Sequence, residues 1–138
     1  MGAWDCGIFD DDTAYDFDGE IKNDARVFFK SSFENAMLSE YLEYEEGYAV
    51  IVSAAYIDNL INGTKYKNDN EELNDESNVN VFGIFYKDLE VEDLKLTAVD
   101  ALRKVIDENS ELNELWAENE ELYPKWKQNI LDIIYRLS

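Results

Sequence analysis

The chain has 138 residues, 46% of them hydrophobic and 14% aromatic, with 32 Asp and Glu against 12 Lys and Arg for a formal net charge of −20. That is enough apolar material for one domain with a buried core, and too much for a disordered acidic chain, which combines charge with low hydrophobicity. The charge argues against direct nucleic-acid binding, which neutralises phosphates with Lys and Arg, and favours attraction of a basic protein.

Nothing near the N-terminus has a basic segment followed by an apolar run, and no apolar stretch approaches the roughly 20 residues of a membrane helix. The expected location is therefore cytoplasmic, without membrane contact. A single cysteine, Cys6, cannot form an internal disulfide.

In chain order, Ala14, Phe17 and Ile21 recur at helical spacing opposite Asp12, Asp16 and Glu20, which predicts one short amphipathic helix. A second helix is expected from Asn23 or Asp24 to a boundary near Leu42. Its buried stripe reads as Val27, Phe28, Ala36, Met37 and Tyr41, widened by Phe29 and Phe33. The run GYAVIVSAAYIDNLING, from Gly47 to Gly63, is apolar almost all round and ends in Asn62-Gly63. It reads as a central helix, buried on several sides, with a glycine C-cap. From Thr64 to Asn78 periodicity gives way to Asn, Asp and Glu, and 64–78 reads as a polar mobile loop within the domain.

The segment 79–91 fits a short extended stretch and a helical turn about equally, since Val79 and Val81 alternate while Phe82, Phe85 and Tyr86 share a turn. Leu94, Ala98, Ala101, Leu102, Val105 and Ile106 then restore a 3.6-residue period. Ser110 is placed to N-cap a helix containing Leu112, Leu115 and Trp116, with Glu111 in its first turn. Pro124 suits the first turn of a last helix whose core face is Trp126, Ile130, Ile133, Ile134 and Leu137. The sum is an all-α, single-domain bundle of about five or six helices over 1–138.

Two stretches carry a family resemblance. The opening matches the form Trp-Gly-x-Gly-x-Phe-x-x-Asp-x-Ala-x-Asp at Trp4, Gly7, Phe9, Asp12, Ala14 and Asp16, with Asp5 in place of the first glycine. SELNELW, Ser110 to Trp116, followed by Trp126, matches a second segment, and the alanine-rich stretch Ser53 to Tyr56 is similar too. The chain thus resembles the bacterial family classed as domain of unknown function 4259. The resemblance implies an all-helical single domain and brings no activity with it.

The opening could be a ligand loop or a structural pin. A phosphate cradle is rejected, because GxxxxGK[ST] is absent and aspartates surround the glycine. An EF-hand frame with Asp16, Asp18 and Gly19 at positions three, five and six puts Ala14 and Ala25 at positions one and twelve, where oxygen ligands are required. The structural reading has Trp4 and Phe9 docking into the core, Gly7 permitting close approach, an Asp capping the first helix, and Thr13 with Asp16 at capping-box spacing.

With no histidine, the commonest neutral-pH base and zinc ligand are missing, and Cys6 sits among acids that disfavour the thiolate. The sequence therefore predicts a non-enzymatic protein with no catalytic residues, bound metal or cofactor. Its most distinctive surface feature is Glu111, Glu114, Glu118 and Glu121, which share one helical face if the helix continues. Glu108 and Glu120 lie nearby, and no Lys or Arg falls between Lys104 and Lys125. Like charges at these spacings destabilise a helix slightly, so the stripe is expected to serve a basic protein partner or, more blandly, solvation. An immunity or antitoxin protein filling the basic cleft of a nuclease-type toxin is one version. A small-molecule or divalent-cation binding domain is the alternative.

Overall fold

A computed structural model describes residues 7–9, 12–68, 74 and 77–138. Among the described residues the chain forms α1 (Thr13–Asp16), α2 (Asp18–Asn23), α3 (Ala25–Leu38), α4 (Tyr44–Asn62), α5 (Phe82–Phe85), a 3₁₀ turn (Glu92–Leu94), α6 (Lys95–Val105), α7 (Glu111–Ala117) and α8 (Tyr123–Leu137), with no strand. This is an all-α single domain. None of these helices is long and apolar enough to cross a membrane.

The architecture is organised around α4. Val50, Ile51, Val52, Ala54, Ala55 and Ile57 are each no more than 1% exposed, so this helix is apolar on every side over two turns and must be enclosed. α3, α6 and α8 enclose it. Its N-terminus is closed by Glu46, whose side chain accepts from the Glu43 backbone N–H at 3.1 Å and from the Ser39 hydroxyl at 2.8 Å. Its C-terminus stops at Gly63, which adopts φ 73°, the left-handed conformation that glycine takes without a Cβ penalty.

The periodic helices α6 and α8 follow the expected faces. Leu94, Ala98, Ala101, Leu102 and Val105 are buried, as are all five core residues expected of α8, and Pro124 lies in that helix's first turn. α3 differs. Its start is as read, since Asp24 caps it by accepting from the Val27 N–H at 3.2 Å. However, Val27 is 57% and Met37 44% exposed, whereas Phe29, Phe33 and Ala36 are fully buried. The residues that looked like a widening of the stripe are its centre: Ala25, Phe29, Ser32, Phe33 and Ala36 repeat at three and four, rotating the face away from Val27 and Met37. Tyr41 lies beyond the end of α3 and is 43% exposed. The single N-terminal helix expected around Ala14 and Ile21 is interrupted at Phe17, where ψ is −6°, and becomes α1 and α2.

Segment 79–91 is neither extended nor one continuous helix. Val79 and Phe82 are buried, α5 lasts one turn, and Phe82 stacks on Tyr86 with ring centroids 4.3 Å apart. The described flanks of the 64–78 loop are tied down through Tyr66, whose N–H donates to Asn80 Oδ1 (2.7 Å) and whose carbonyl accepts from the Asn80 and Asn68 side chains.

Three cationic side chains fasten helices to one another. Lys104 on α6 donates to the carbonyls of Ala36 and Ser39, both at 2.7 Å, placing a cation at the negative end of α3. Arg26 on α3 makes a two-pronged pair with Asp93, at 2.9 and 2.7 Å, and donates to the Glu90 carbonyl. Arg136 on α8 pairs with Asp58 on α4 through Nε and Oδ2 at 2.8 Å. The Asp58 side chain is 0% exposed, and it also accepts from Tyr66 and Asn62.

The buried Asp58 carboxylate makes loss of its charged partner costly. Arg136→Met should cost about 3 kcal/mol, near the lower end for a broken buried pair because Asn62 and Tyr66 still donate. Adding Asp58→Leu to it should recover much of that loss, measured as urea unfolding of each variant. The exposed Arg26–Asp93 pair should act through pH instead. The hydrogen bond from Arg26, joined by its charge, holds the Asp93 carboxyl below its ordinary value. Its contribution is therefore present above the unfolded carboxyl value of about 4 and is lost as pH falls through the lower folded value. The gap in urea midpoint between wild type and Arg26→Met should accordingly narrow as pH drops below about 4.

Candidate functional site

The SELNELW segment is a clamp. Ser110 has extended backbone, and its hydroxyl accepts from the Asn113 N–H at 3.3 Å, which starts α7 as the sequence predicts. The same residue joins Leu42 in a parallel bridge: Leu42 N–H donates to the Asn109 carbonyl and Glu111 N–H to the Leu42 carbonyl, both at 2.9 Å. Glu111 then turns its carboxylate onto the Tyr44 N–H at 3.1 Å, capping the first residue of α4 from another helix. Leu112 is fully buried against Gly47, where a Cβ would stand 2.6 Å from its Cδ1, so a larger residue there would force Leu112 to shift. Glu114 accepts from the Tyr41 hydroxyl at 2.9 Å, a bond that raises the Tyr41 phenol above its ordinary value. Trp116 closes the segment by stacking on Trp126, centroids 5.9 Å apart at 14°.

This geometry corrects the acidic stripe. α7 ends at Ala117, Glu118 is its C-cap, and Glu121 lies in the turn before α8, so Glu111, Glu114, Glu118 and Glu121 do not form one helical face. A carboxylate at a helix C-terminus opposes the helix dipole, and Asn119 begins the next turn by accepting from the Leu122 N–H at 3.0 Å. Asn119 was the sequence signal for that break. Glu111 and Glu114 are engaged with the 41–44 connection, while Glu118, Glu120 and Glu121 are exposed, as are Asp107 and Glu108.

The N-terminal motif is partly described. Trp4 and Cys6 lie outside the described residues. Phe9 and Ala14 are buried, with the Phe9 ring 5.9 to 6.3 Å from those of Tyr15, Tyr56 and Tyr66. Gly7 is half-buried and Asp12 and Asp16 are exposed. The expected cap is not made: Asp12 occupies the N-cap position with helical backbone and no side-chain cap bond, and Thr13 is the first residue of α1 rather than its cap, so the Thr13–Asp16 box is out of register. Among the described residues no group of three or more acidic or cysteine side chains is placed to hold a metal ion.

Two hollows adjoin this framework. An open groove of about 830 Å³ runs between the end of α4 and the 80–93 segment, lined by Leu60, Gly83, Tyr86 and Val91 and bearing both Lys65 and Lys87 and Glu90, Glu92 and Asp93. A smaller, more enclosed cavity of about 250 Å³ lies where the N-terminal motif meets α4, walled by Phe9, Ala14, Tyr15, Tyr56 and Asp18, with Asn68, Ser77 and Val79 closing it. It brings together Phe9, Ala14 and Tyr56 from two family-like stretches that stand far apart in sequence. Burial pushes the Tyr56 phenol well above its ordinary value, and the nearby Asp18 charge adds to the shift.

The fold and its two motif segments define a small acidic all-α domain. The model of the domain of unknown function family DUF4259 matches residues 2–129, and the chain belongs to that family. No curated protein and no solved structure matches the chain.

If the clamp is structural, its residues and the exposed acids must separate in stability. Ser110→Ala should cost about 1 kcal/mol through the lost cap, and Glu111→Ala should destabilise by a similar amount of about 1 kcal/mol through the uncapped Tyr44 N–H. Glu118→Ala and Glu121→Ala should stay within about 0.5 kcal/mol of wild type in the same urea titrations.

Proposed function

We propose that this protein is a non-enzymatic interaction protein that binds a basic protein partner through the exposed acids after α7. The observation that carries this reading is local. Glu118, Glu120 and Glu121 are exposed and lie within four residues of one another between α7 and α8, with no Lys or Arg anywhere between Lys104 and Lys125. Glu111 and Glu114, already engaged with the neighbouring connection, belong to the support of that face rather than to its contact surface. A net charge of −20 extends the field beyond these residues, which accelerates encounter with a cationic surface and repels phosphate backbones.

An immunity or antitoxin-like protein that occupies the basic substrate cleft of a nuclease-type enzyme is the specific form of this reading. Such a task rewards rapid charge-steered capture. The absence of histidine from the sequence is the main support for a binding rather than a catalytic role. A second reading, small-ligand binding between helices, is supported by the cavity of about 250 Å³ beside Tyr56.

Affinity capture from the source cell lysate, with wild type and the triple variant E118K/E120K/E121K as baits at low and high salt, tests the first reading. A basic protein retained by wild type at low salt, reduced at high salt and lost by the variant is the expected result. A partner held equally by the variant, or insensitive to salt, overturns the acidic face.

A further inference from the structure

We infer, resting on the reading of a basic protein partner, that this partner docks an amphipathic basic segment on the exposed apolar cluster Met37, Leu38 and Tyr41. Apolar side chains of that segment meet the cluster, and its Lys and Arg meet the bordering acids Glu40, Glu43, Asp107 and Glu108. The acids after α7 supply attraction, and this cluster supplies the apolar contact.

Met37 is 44%, Leu38 84% and Tyr41 43% exposed, all where α3 ends and the chain turns toward α4. Single exposed apolar side chains are ordinary on a protein surface, but a contiguous group of them marks a contact surface. The group is also held in shape before any partner arrives. The Tyr41 hydroxyl donates to Glu114 at 2.9 Å, the Ser39 hydroxyl donates to Glu46 at 2.8 Å, and Leu42 is bridged to Ser110. Side chains carried on a fixed backbone lose less entropy on binding than those on a loose loop.

The border of the cluster carries one sign of charge. Neither 31–64 nor 105–124 contains a Lys or Arg. The fold lays these two stretches side by side, through the Leu42 N–H on the Asn109 carbonyl at 2.9 Å and the Lys104 ammonium on the Ser39 carbonyl at 2.7 Å. Glu40 and Glu43 from the first stretch and Asp107 and Glu108 from the second are exposed. Lys104, the cation that reaches this connection, is committed to the carbonyls of Ala36 and Ser39. An apolar centre inside an acidic border selects an occupant with the complementary pattern, apolar side chains flanked by cations. A helix with Leu-like residues on one face and Lys or Arg beside them has that pattern. A second copy of this chain would set acid against acid across a two-fold interface, and an anionic lipid surface is repelled by the net charge of −20.

The test is titration of the isotope-labelled full chain with two synthetic peptides of equal length and charge at physiological ionic strength. One carries Leu and Lys at helical spacing, and the other has Ser in place of each Leu, which separates apolar docking from the diffuse attraction of any cation to a protein this acidic. Amide chemical shifts give both the location and the affinity. The expected result is saturable binding of the Leu peptide with shifts on Leu38, Tyr41 and Glu108, and binding of the Ser peptide weaker by about tenfold or more. The variant M37S/L38S should lose about tenfold in affinity for the Leu peptide. Its urea midpoint should stay near that of wild type, because both substitutions lie on the surface. Equal affinity for the two peptides, no saturable binding, or wild-type affinity in M37S/L38S overturns the proposal. Shifts confined to Glu118–Glu121 also overturn it while leaving the acidic face after α7 standing, and shifts at neither place remove both. A wild-type dimer that M37S/L38S converts to a monomer in sedimentation assigns the cluster to a second copy and overturns the proposal as well. The mapping uses wild type, so it decides the matter even where the variant fails to fold.

Discussion

Burial of α4 on all sides is the constraint from which the remaining structure follows. A helix with apolar residues round its whole circumference cannot lie on a surface, so other helices must surround it, and α3, α6 and α8 turn their apolar stripes inward to do so. Enclosure creates a second requirement. The ends of a buried helix expose N–H and C=O groups that water no longer reaches, and each must find a partner. At the N-terminus Glu46 and, from α7, Glu111 provide acceptors. At the C-terminus Gly63 turns the chain and Asp58 gathers Arg136, Asn62 and Tyr66 into one hydrogen-bonded group. The SELNELW segment makes sense in these terms: each of its polar residues named here completes an end or a connection of something already buried.

The electrostatic design is lopsided in the same service. Cations are few, and several of them act between helices rather than in solution: Lys104 on the carbonyls ending α3, Arg26 on Asp93, Arg136 on Asp58. Their positive charge is thereby committed to internal joints. The acids beyond α7 have no Lys or Arg among them, and the proposed partner-binding face rests on that turn. Surface repulsion among acids also sets a cost that the packed core has to exceed.

How much of this could be read from the sequence differed by element. α4, α6 and α8 were legible because one-sided or all-round apolar periodicity over three or more turns has no other good explanation, and Ser110 was legible because cap chemistry is local. α3 misled because Phe28, Phe29 and Phe33 span more than one face, and which aromatic residues turn inward depends on what α3 packs against. The glutamate stripe misled because an i, i+3, i+4 rule holds only while the helix lasts, and Asn119 ends the possibility one turn too early. The Asp58–Arg136 pair, separated by 78 positions, left only a lone acid in an apolar run as its trace. The cavity beside Tyr56 could not be foreseen at all, since its walls come from four separate stretches of chain.

The Leu42–Ser110 bridge has a further consequence when set beside the other long-range ties. It joins the half of the chain ending with α4 to the half beginning near Asn78, and so do Arg26–Asp93, Lys104 on α3, and Asp58–Arg136, each at a different corner of the domain. The two halves are interlocked by non-covalent joints spread over these corners. The molecule is thus organised as a pair of complementary fragments that share one core, a layout suited to reconstitution from separately expressed pieces.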